Sequence, residues 1–271
     1  MADVSLTSGI RANLLTLQNT ASLIGTTQQR LASGLKVNNP IDDATAYFAA
    51  QNARGRANDL GARKNEIGEA IQTIKAASAG IETISKLVET AKGLAESARS
   101  ATTAGRSTLA AQFNEVLKQI DQAAIDAKYK GTNLLAASSE LVVKTNEDGS
   151  SKISINGFDA SSTVGLEVSA IADSTWTADA ALDAAVSQLN AAQSTLRTNS
   201  ATLGAVSSQL TIRDNFLDQM RNVLREGADK LTVADQNEEG ANLLSLQTRQ
   251  QLGVISLSLA NQSQQAILRL F

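Results

Sequence analysis

Asp42 and Asp43 are adjacent carboxylates just beyond the chain's one proline, Pro40. Paired carboxylates are what metal binding or general acid–base work requires. Ser33-Gly34 offers a hydroxyl beside a permissive backbone, the start of a nucleophile. Neither has the company its chemistry demands. The chain contains no histidine and no cysteine, so the usual general base, the usual soft-metal ligands and any disulfide are missing. No Cys-X-X-Cys pair, phosphate loop or dinucleotide fingerprint appears. Asp42-Asp43 is more simply a helix start, with Asp42 as the cap and Asp43 as a partner for the helix dipole. No catalytic, metal or cofactor-binding residue is expected, and an enzyme is not.

The elements that hold these residues are long helices. Leucine recurs at every seventh position from Leu182 through Leu189, Leu196, Leu203, Leu210, Leu217 and Leu224 to Leu231. A strict 3.5-residue repeat marks one helix packed along a seam, and about fifty residues at 1.5 Å each would reach roughly 75 Å. A second seam steps by threes and fours through Ile67, Ala70, Ile74, Ala77, Ile81, Ile84, Val88, Ala91, Ala95 and Ala98. Leu109, Phe113, Val116, Ile120, Ala123 and Ala127 continue it after a break. Positions three after each leucine are mixed, including Asn199 and Arg213, which a free two-stranded zipper would not tolerate. The leucine helix is expected to share its seam with several neighbours.

Composition agrees with thin helical layers rather than a thick core, since aromatics make up 3 % of the chain. Net charge is −3, from 24 basic and 27 acidic residues, which gives no general pull toward nucleic acid or anionic lipid. The arginines of the terminal helices are not interleaved with aromatics, so no nucleic-acid partner is expected. No run of about 18 apolar residues exists, so no membrane insertion is expected either. Met1 to Ile10 lacks the basic and apolar regions of a signal peptide, so any export is expected to use a route that cleaves none.

Residues 4–33 read as an amphipathic helix ended by Gly34 in the left-handed conformation. A second helix is expected from near Ala44 to about Ser100, and a third from about Ser107 to Lys128. Leu141-Val142-Val143 and Ile153-Ser154-Ile155 flank Asn146-Glu147-Asp148-Gly149, a hairpin signal, and Val164–Val168 suggests a further strand. The leucine helix follows from about Ala178, and a last helix from Gly240 or Ala241 shows a stripe of Leu244, Leu252, Ile255, Leu259, Ala266 and Leu270. Both chain ends are apolar enough to be buried against something. Arg30 is expected to bracket the Gly34–Pro40 turn by pairing with Asp42 or Asp43.

The run from Gln29 to Ala44, Gln-Arg-Leu-Ala-Ser-Gly-Leu-Lys-Val-Asn-Asn-Pro-Ile-Asp-Asp-Ala, resembles the N-terminal signature of bacterial flagellins. Ile10-Arg11-Ala12-Asn13 before it and Asn52–Leu60 after it are similar as well. So are Tyr129–Leu135, Leu203-Gly204-Ala205-Val206 and the glutamine-rich stretch from Ala241 to Phe271. The resemblance implies a mostly α fold: an elongated rod of long coiled-coil helices from both termini, with a small β-hairpin element. It implies a terminal core of residues 1–40 plus 235–271, a helical rod of 41–137 plus 177–234, and a hairpin element at 138–176. It implies a self-assembling subunit of the flagellar filament for swimming motility. Its partners would be copies of itself, the flagellar export apparatus with a possible export chaperone, and the filament cap and hook–filament junction proteins. The location would be extracellular. Leu14, Leu17, Ile24 and Leu31 would pack on Leu252, Ile255, Leu259 and Leu270 in the assembly core. Arg30, Gly34, Asn39, Asp42 and Asp43 would connect the inner and outer layers. Residues 146–151 would face outward and accept insertions, with Ser150, Ser151, Ser161, Ser162 and Thr163 open to O-glycosylation. Rival readings are a hook–filament junction protein and an unrelated helical adaptor.

Overall fold

The computed structural model describes residues 8–171 and 176–268. The described residues are mostly helical: α1 (Ser8–Ser33), α2 (Ala44–Ala98), α3 (Thr103–Asp126), β1 (Glu140–Lys144), β2 (Lys152–Asn156), α4 (Asp179–Thr232) and α5 (Gln236–Leu268). They belong to two compact units, Met1–Gly55 with Val223–Phe271 and Arg56–Asn222. Helices α2 and α4 each contribute to both.

In the unit of residues 56–222, the expected seams are the core. Every residue of the α2 series from Ile67 to Ala98 is buried, as are the leucines from Leu182 to Leu217. On α3, Phe113, Val116 and Ile120 are buried, and the Trp176 ring meets Phe113 edge-on with centroids 5.2 Å apart. Polar links flank these seams. Lys64 pairs with Asp218, Lys92 donates to Asn190 at 3.0 Å, and Arg99 pairs with Asp183. Each step up α2 is matched by an equal step down α4, so the two run antiparallel. Arg106, at the start of α3, donates to Asp179 at 2.7 Å and to the carbonyl of Arg99 at 3.2 Å, tying together three helix ends. Helix α3 starts earlier than its apolar spacing suggests, because the Thr102 hydroxyl accepts from the Gly105 N–H and caps it.

The hairpin forms with Leu141 opposite Ile155 and Val143 opposite Ile153. Val143 and Ile155 are buried, as the two-residue period of a strand with one covered face requires. At its tip Asp148 and Ser150 are exposed, while neighbouring residues are tied to the helices. Glu147 accepts from Arg56 Nε at 3.0 Å, Arg213 donates to Ser151 Oγ at 3.2 Å, and Thr145 is buried. The expected third strand is absent at Val164–Val168. A Cβ on Gly165 would stand 1.8 Å from the Asp159 carbonyl oxygen, and Glu167 has φ +54°, so the segment coils tightly instead of extending. Ser162 is buried there, with its N–H on Asp121 Oδ1 at 2.7 Å, which removes it from the accessible hydroxyls.

In the other unit the leucine register ends. Leu224 is half-buried and Leu231 is exposed, while Ala228 and Thr232 turn inward. The cause is local. The chain at 36–37 lies against the end of α4, where Lys36 and Val37 donate their N–H groups to the Thr232 carbonyl. Arg54 also donates to the Thr232 hydroxyl at 2.9 Å and to Asp229 at 3.2 Å. Backbone that must be hydrogen-bonded favours small or polar neighbours over leucine.

Candidate assembly surface

Helices α1 and α5 pack along each other. On α1 the least exposed residues are Ile10, Asn13, Leu17, Thr20, Ile24, Thr27 and Leu31. On α5 they are Glu239, Leu243, Leu246, Gln250, Gly253, Leu257 and Ala260. Both sets step by alternate threes and fours, the spacing of a coiled-coil seam. Leu17 sits over Gly253, where an added Cβ would lie 3.0 Å from the leucine Cδ2. Threonine, asparagine, glutamine and glycine alternate on this seam with leucine and isoleucine.

Further large apolar side chains lie off the seam. Leu252, Ile255 and Leu259 are 62 %, 64 % and 64 % exposed, and Leu244, Val254, Leu14, Leu15 and Leu23 are also exposed. Of the residues expected to pack between the terminal helices, Leu17, Ile24 and Leu31 face the α1–α5 seam. Leu14, Leu252, Ile255 and Leu259 stand off it, and Leu270 lies outside the described residues. On α5, Leu243, Leu246 and Leu257 are half-buried and in step with Gly253, which lies under Leu17. Their three-four spacing is present in the sequence beside a second apolar series, Leu244, Leu252, Ile255 and Leu259. Completing the burial of eight half-exposed aliphatic side chains is worth on the order of 10 kcal/mol before the cost of association. Exposed apolar surface on this scale marks interaction surface.

The connection from α1 to α2 is built mainly from backbone. Gly34 has φ +71°, donates to the Arg30 carbonyl at 2.8 Å and accepts from the Ala234 N–H at 2.9 Å. It thus closes α1 and holds the start of α5 at once. Asp42 does not cap α2. Its Oδ2 accepts from the N–H groups of Asn38 and Asn39 at 2.9 and 3.0 Å, while Asp43 Oδ1 accepts from the Ala46 N–H at 2.9 Å and is the cap. The backbone N–H groups of Asn39 and Asn38 hold the Asp42 carboxyl below its ordinary range, with Arg30 adding a smaller favourable field. Arg30 itself pairs with neither aspartate. It donates to Glu239 at 3.1 Å, and Glu239 is only 8 % exposed. The pair that closes this junction therefore spans α1 and α5, not the turn.

A cleft of about 500 Å³ opens here among Arg30, Asp42, Asp43, Lys230 and Glu239. Its charges are of both signs, and among the described residues no three carboxylates gather closely enough to hold a metal ion. No helix among the described residues is long and apolar enough to cross a membrane.

Comparison with known proteins bears on this arrangement directly. Residues 7–140 match the bacterial flagellin N-terminal helical region, and residues 180–271 match the bacterial flagellin C-terminal helical region. The chain is 31 % identical to flagellin FljO of Caulobacter vibrioides over 99 % of its own length and 98 % of the relative's. It is 33 % identical to flagellin FljK of the same organism, with the same coverage of both chains. It is 29 % identical to a flagellin of Brucella melitensis over 100 % of its length and 99 % of that protein's.

Proposed function

The chain belongs to the bacterial flagellin family, and on that premise we propose how this structural subunit builds an extracellular filament for motility. One observation carries the proposal: beside the seam that joins α1 and α5, eight further aliphatic side chains of the two helices remain exposed. Copies of the chain are the occupants of that face. Leu14, Leu252, Ile255 and Leu259 contact neighbouring subunits, and Leu17, Ile24 and Leu31 hold α1 to α5 within each subunit. Residues 1–40 with 235–271 make the inner layer of the filament, and residues 41–137 with 177–234 make the outer one. The segment 138–176 belongs with the outer layer. Arg30, Gly34, Asn39, Asp42 and Asp43 serve the connection between layers by fixing where α1 ends and α2 begins.

The same reading gives the chain a passage through the flagellar export apparatus, with an export chaperone covering the exposed leucines before assembly. Addition to the growing filament would then occur between the hook–filament junction and the cap proteins. No disulfide has to be broken or remade on that passage, since the chain has no cysteine.

Replacing Leu259 by aspartate tests the assembly face. A charge at a site buried by each neighbour costs several kcal/mol per subunit. Leu259→Asp should stay soluble in a sedimentation assay under conditions where the unmodified chain pellets as filaments, with its helical circular dichroism retained. Filaments of normal appearance from this variant would rule out the exposed stripe as the contact.

A further inference from the structure

Among the chain's asparagines, Asn156 alone is followed by a glycine, Gly157. Such a pair can react with itself. The Gly157 backbone nitrogen, once it gives up its proton, attacks the Asn156 side-chain carbonyl carbon. The bond from that carbon to the side-chain nitrogen breaks, ammonia leaves, and a five-membered succinimide ring remains. Water then opens the ring at either carbonyl, giving aspartate or isoaspartate. No enzyme and no oxidant is needed. Glycine in the second position favours the closure because it has no Cβ to crowd the ring.

Packing imposes that glycine. A Cβ at 157 would lie 2.7, 2.9 and 3.0 Å from the carbonyl oxygens of Ala136, Ser139 and Leu134, all of them backbone. The chain after Asn156 is laid against residues 134–139. Gly157 donates its N–H to the Ser139 carbonyl at 2.6 Å, Phe158 to Leu134 at 3.0 Å and Ala160 to Leu135 at 3.1 Å. The same fit holds the reaction off. The attacking nitrogen keeps its proton in the bond to Ser139. Asn156 is the last residue of β2 and pairs with Glu140, so its extended backbone is not free to turn that nitrogen over the side chain. Burial is not the barrier, because Asn156 is exposed to water.

We propose that Asn156 is a deamidation site that the closed β1–β2 hairpin silences and an open hairpin releases. The products in turn oppose closure. Aspartate at 156 sets a carboxylate directly across from Glu140, and like charges opposite each other weaken a strand pair. Isoaspartate adds a methylene to the main chain and moves the Gly157 N–H off the Ser139 carbonyl. Fold and modification exclude each other, so this residue keeps a covalent record of the time the segment has spent unpaired. The rate in the native chain is the rate in the denatured chain multiplied by the fraction of molecules whose hairpin is open.

The full chain is incubated at one mildly alkaline pH and temperature, in buffer and in guanidinium chloride, and sampled by peptide mass mapping with fragmentation. In denaturant the tryptic peptide that starts at Ile153 should exchange an amide for a carboxyl at Asn156 ahead of every other asparagine. In buffer the conversion should be slower by about tenfold or more, each tenfold equivalent to about 1.4 kcal/mol of hairpin opening. Val143→Ala hollows the buried face of the hairpin and should bring the native rate several-fold closer to the denatured one, with helical circular dichroism retained. Equal rates in buffer and denaturant would overturn the proposal, as would an Asn156 that survives in denaturant. A native rate unmoved by Val143→Ala would place the protection outside the hairpin and overturn it too.

Discussion

Leu17 of α1 rests on the bare backbone of α5 at Gly253, closer than any side chain there would allow without moving it. Alanine at 253 gains up to about 1 kcal/mol of helix propensity and shifts the end of one leucine, so the two effects nearly cancel. A branched residue has no such balance. Gly253→Val should push α1 and α5 apart at a cost of about 1–3 kcal/mol and raise the critical concentration for assembly. Gly253→Ala should assemble almost as the unmodified chain does. Sedimentation of the two variants side by side checks this, and equal behaviour would remove Leu17–Gly253 from the packing.

Arg30 and Glu239 should behave as one unit. Neutralising either leaves the other short of a charge-assisted hydrogen bond at a half-buried site, whereas neutralising both removes only the pair. A double-mutant cycle of Arg30→Met and Glu239→Gln, read in critical assembly concentration, should give a coupling of roughly 1 kcal/mol. Strictly additive losses would leave the two uncoupled. The same cycle between Arg30 and Asp43 should be additive, since no bond joins them.

Asp42 and Asp43 should differ in kind. Asp43→Ala removes the cap of α2 and should lower thermal stability by about 1 kcal/mol at neutral pH. Asp42 contributes through its charged form, because backbone N–H groups lower its folded pKa below the ordinary 3.8. That contribution is fully present above the unfolded value and is lost as pH falls through the lower folded value. Asp42→Asn should therefore cost stability at neutral pH and flatten the acid limb of the stability curve below pH 4. Melting temperatures across an acid series test the sign, and parallel curves for Asp42→Asn and the unmodified chain would contradict it.

Gly80→Ala should destabilise the protein although alanine favours helix. The new methyl would meet Ala127 Cβ, which cannot swing aside, at 2.5 Å. Overpacking of about 1–3 kcal/mol exceeds the gain in propensity of about 1 kcal/mol. Denaturant unfolding followed by circular dichroism should show a lower midpoint, and a midpoint raised by the substitution would mean that α3 yields.

The α2 and α4 seams were legible in the sequence because burial there follows side-chain size: isoleucine, leucine and alanine face inward, and polar residues face out. The α1–α5 seam was less so, because leucine and isoleucine lie both on it and off it, and small or polar residues share its interior. Thr20, Thr27, Gln250 and Gly253 lie inside, while Leu252, Ile255 and Leu259 lie outside. A search for the most apolar stripe finds the face that a single chain leaves wet. Charge pairing was opaque for a different reason. Arg30 and Glu239 are 209 positions apart, and only the course of the folded chain brings them together. The proximity of Asp42 in sequence suggested the wrong partner. The strand expected at Val164–Val168 failed on Gly165 and Glu167, whose backbone demands depend on the neighbouring Asp159 carbonyl.

The polar links between α2 and α4 have a sided character. Arg54, Lys64 and Lys92 on α2 and Arg99 just after it are all donors, and Asp229, Asp218, Asn190 and Asp183 on α4 are all acceptors. An α2 that met the α2 of another copy would set cation against cation at these crossings, and two α4 helices would set acid against acid. Where many identical chains fold close together, that asymmetry acts as proofreading. Each α2 is steered to a helix of the opposite kind, and the antiparallel spacing of the links favours the α4 of its own chain in its own register.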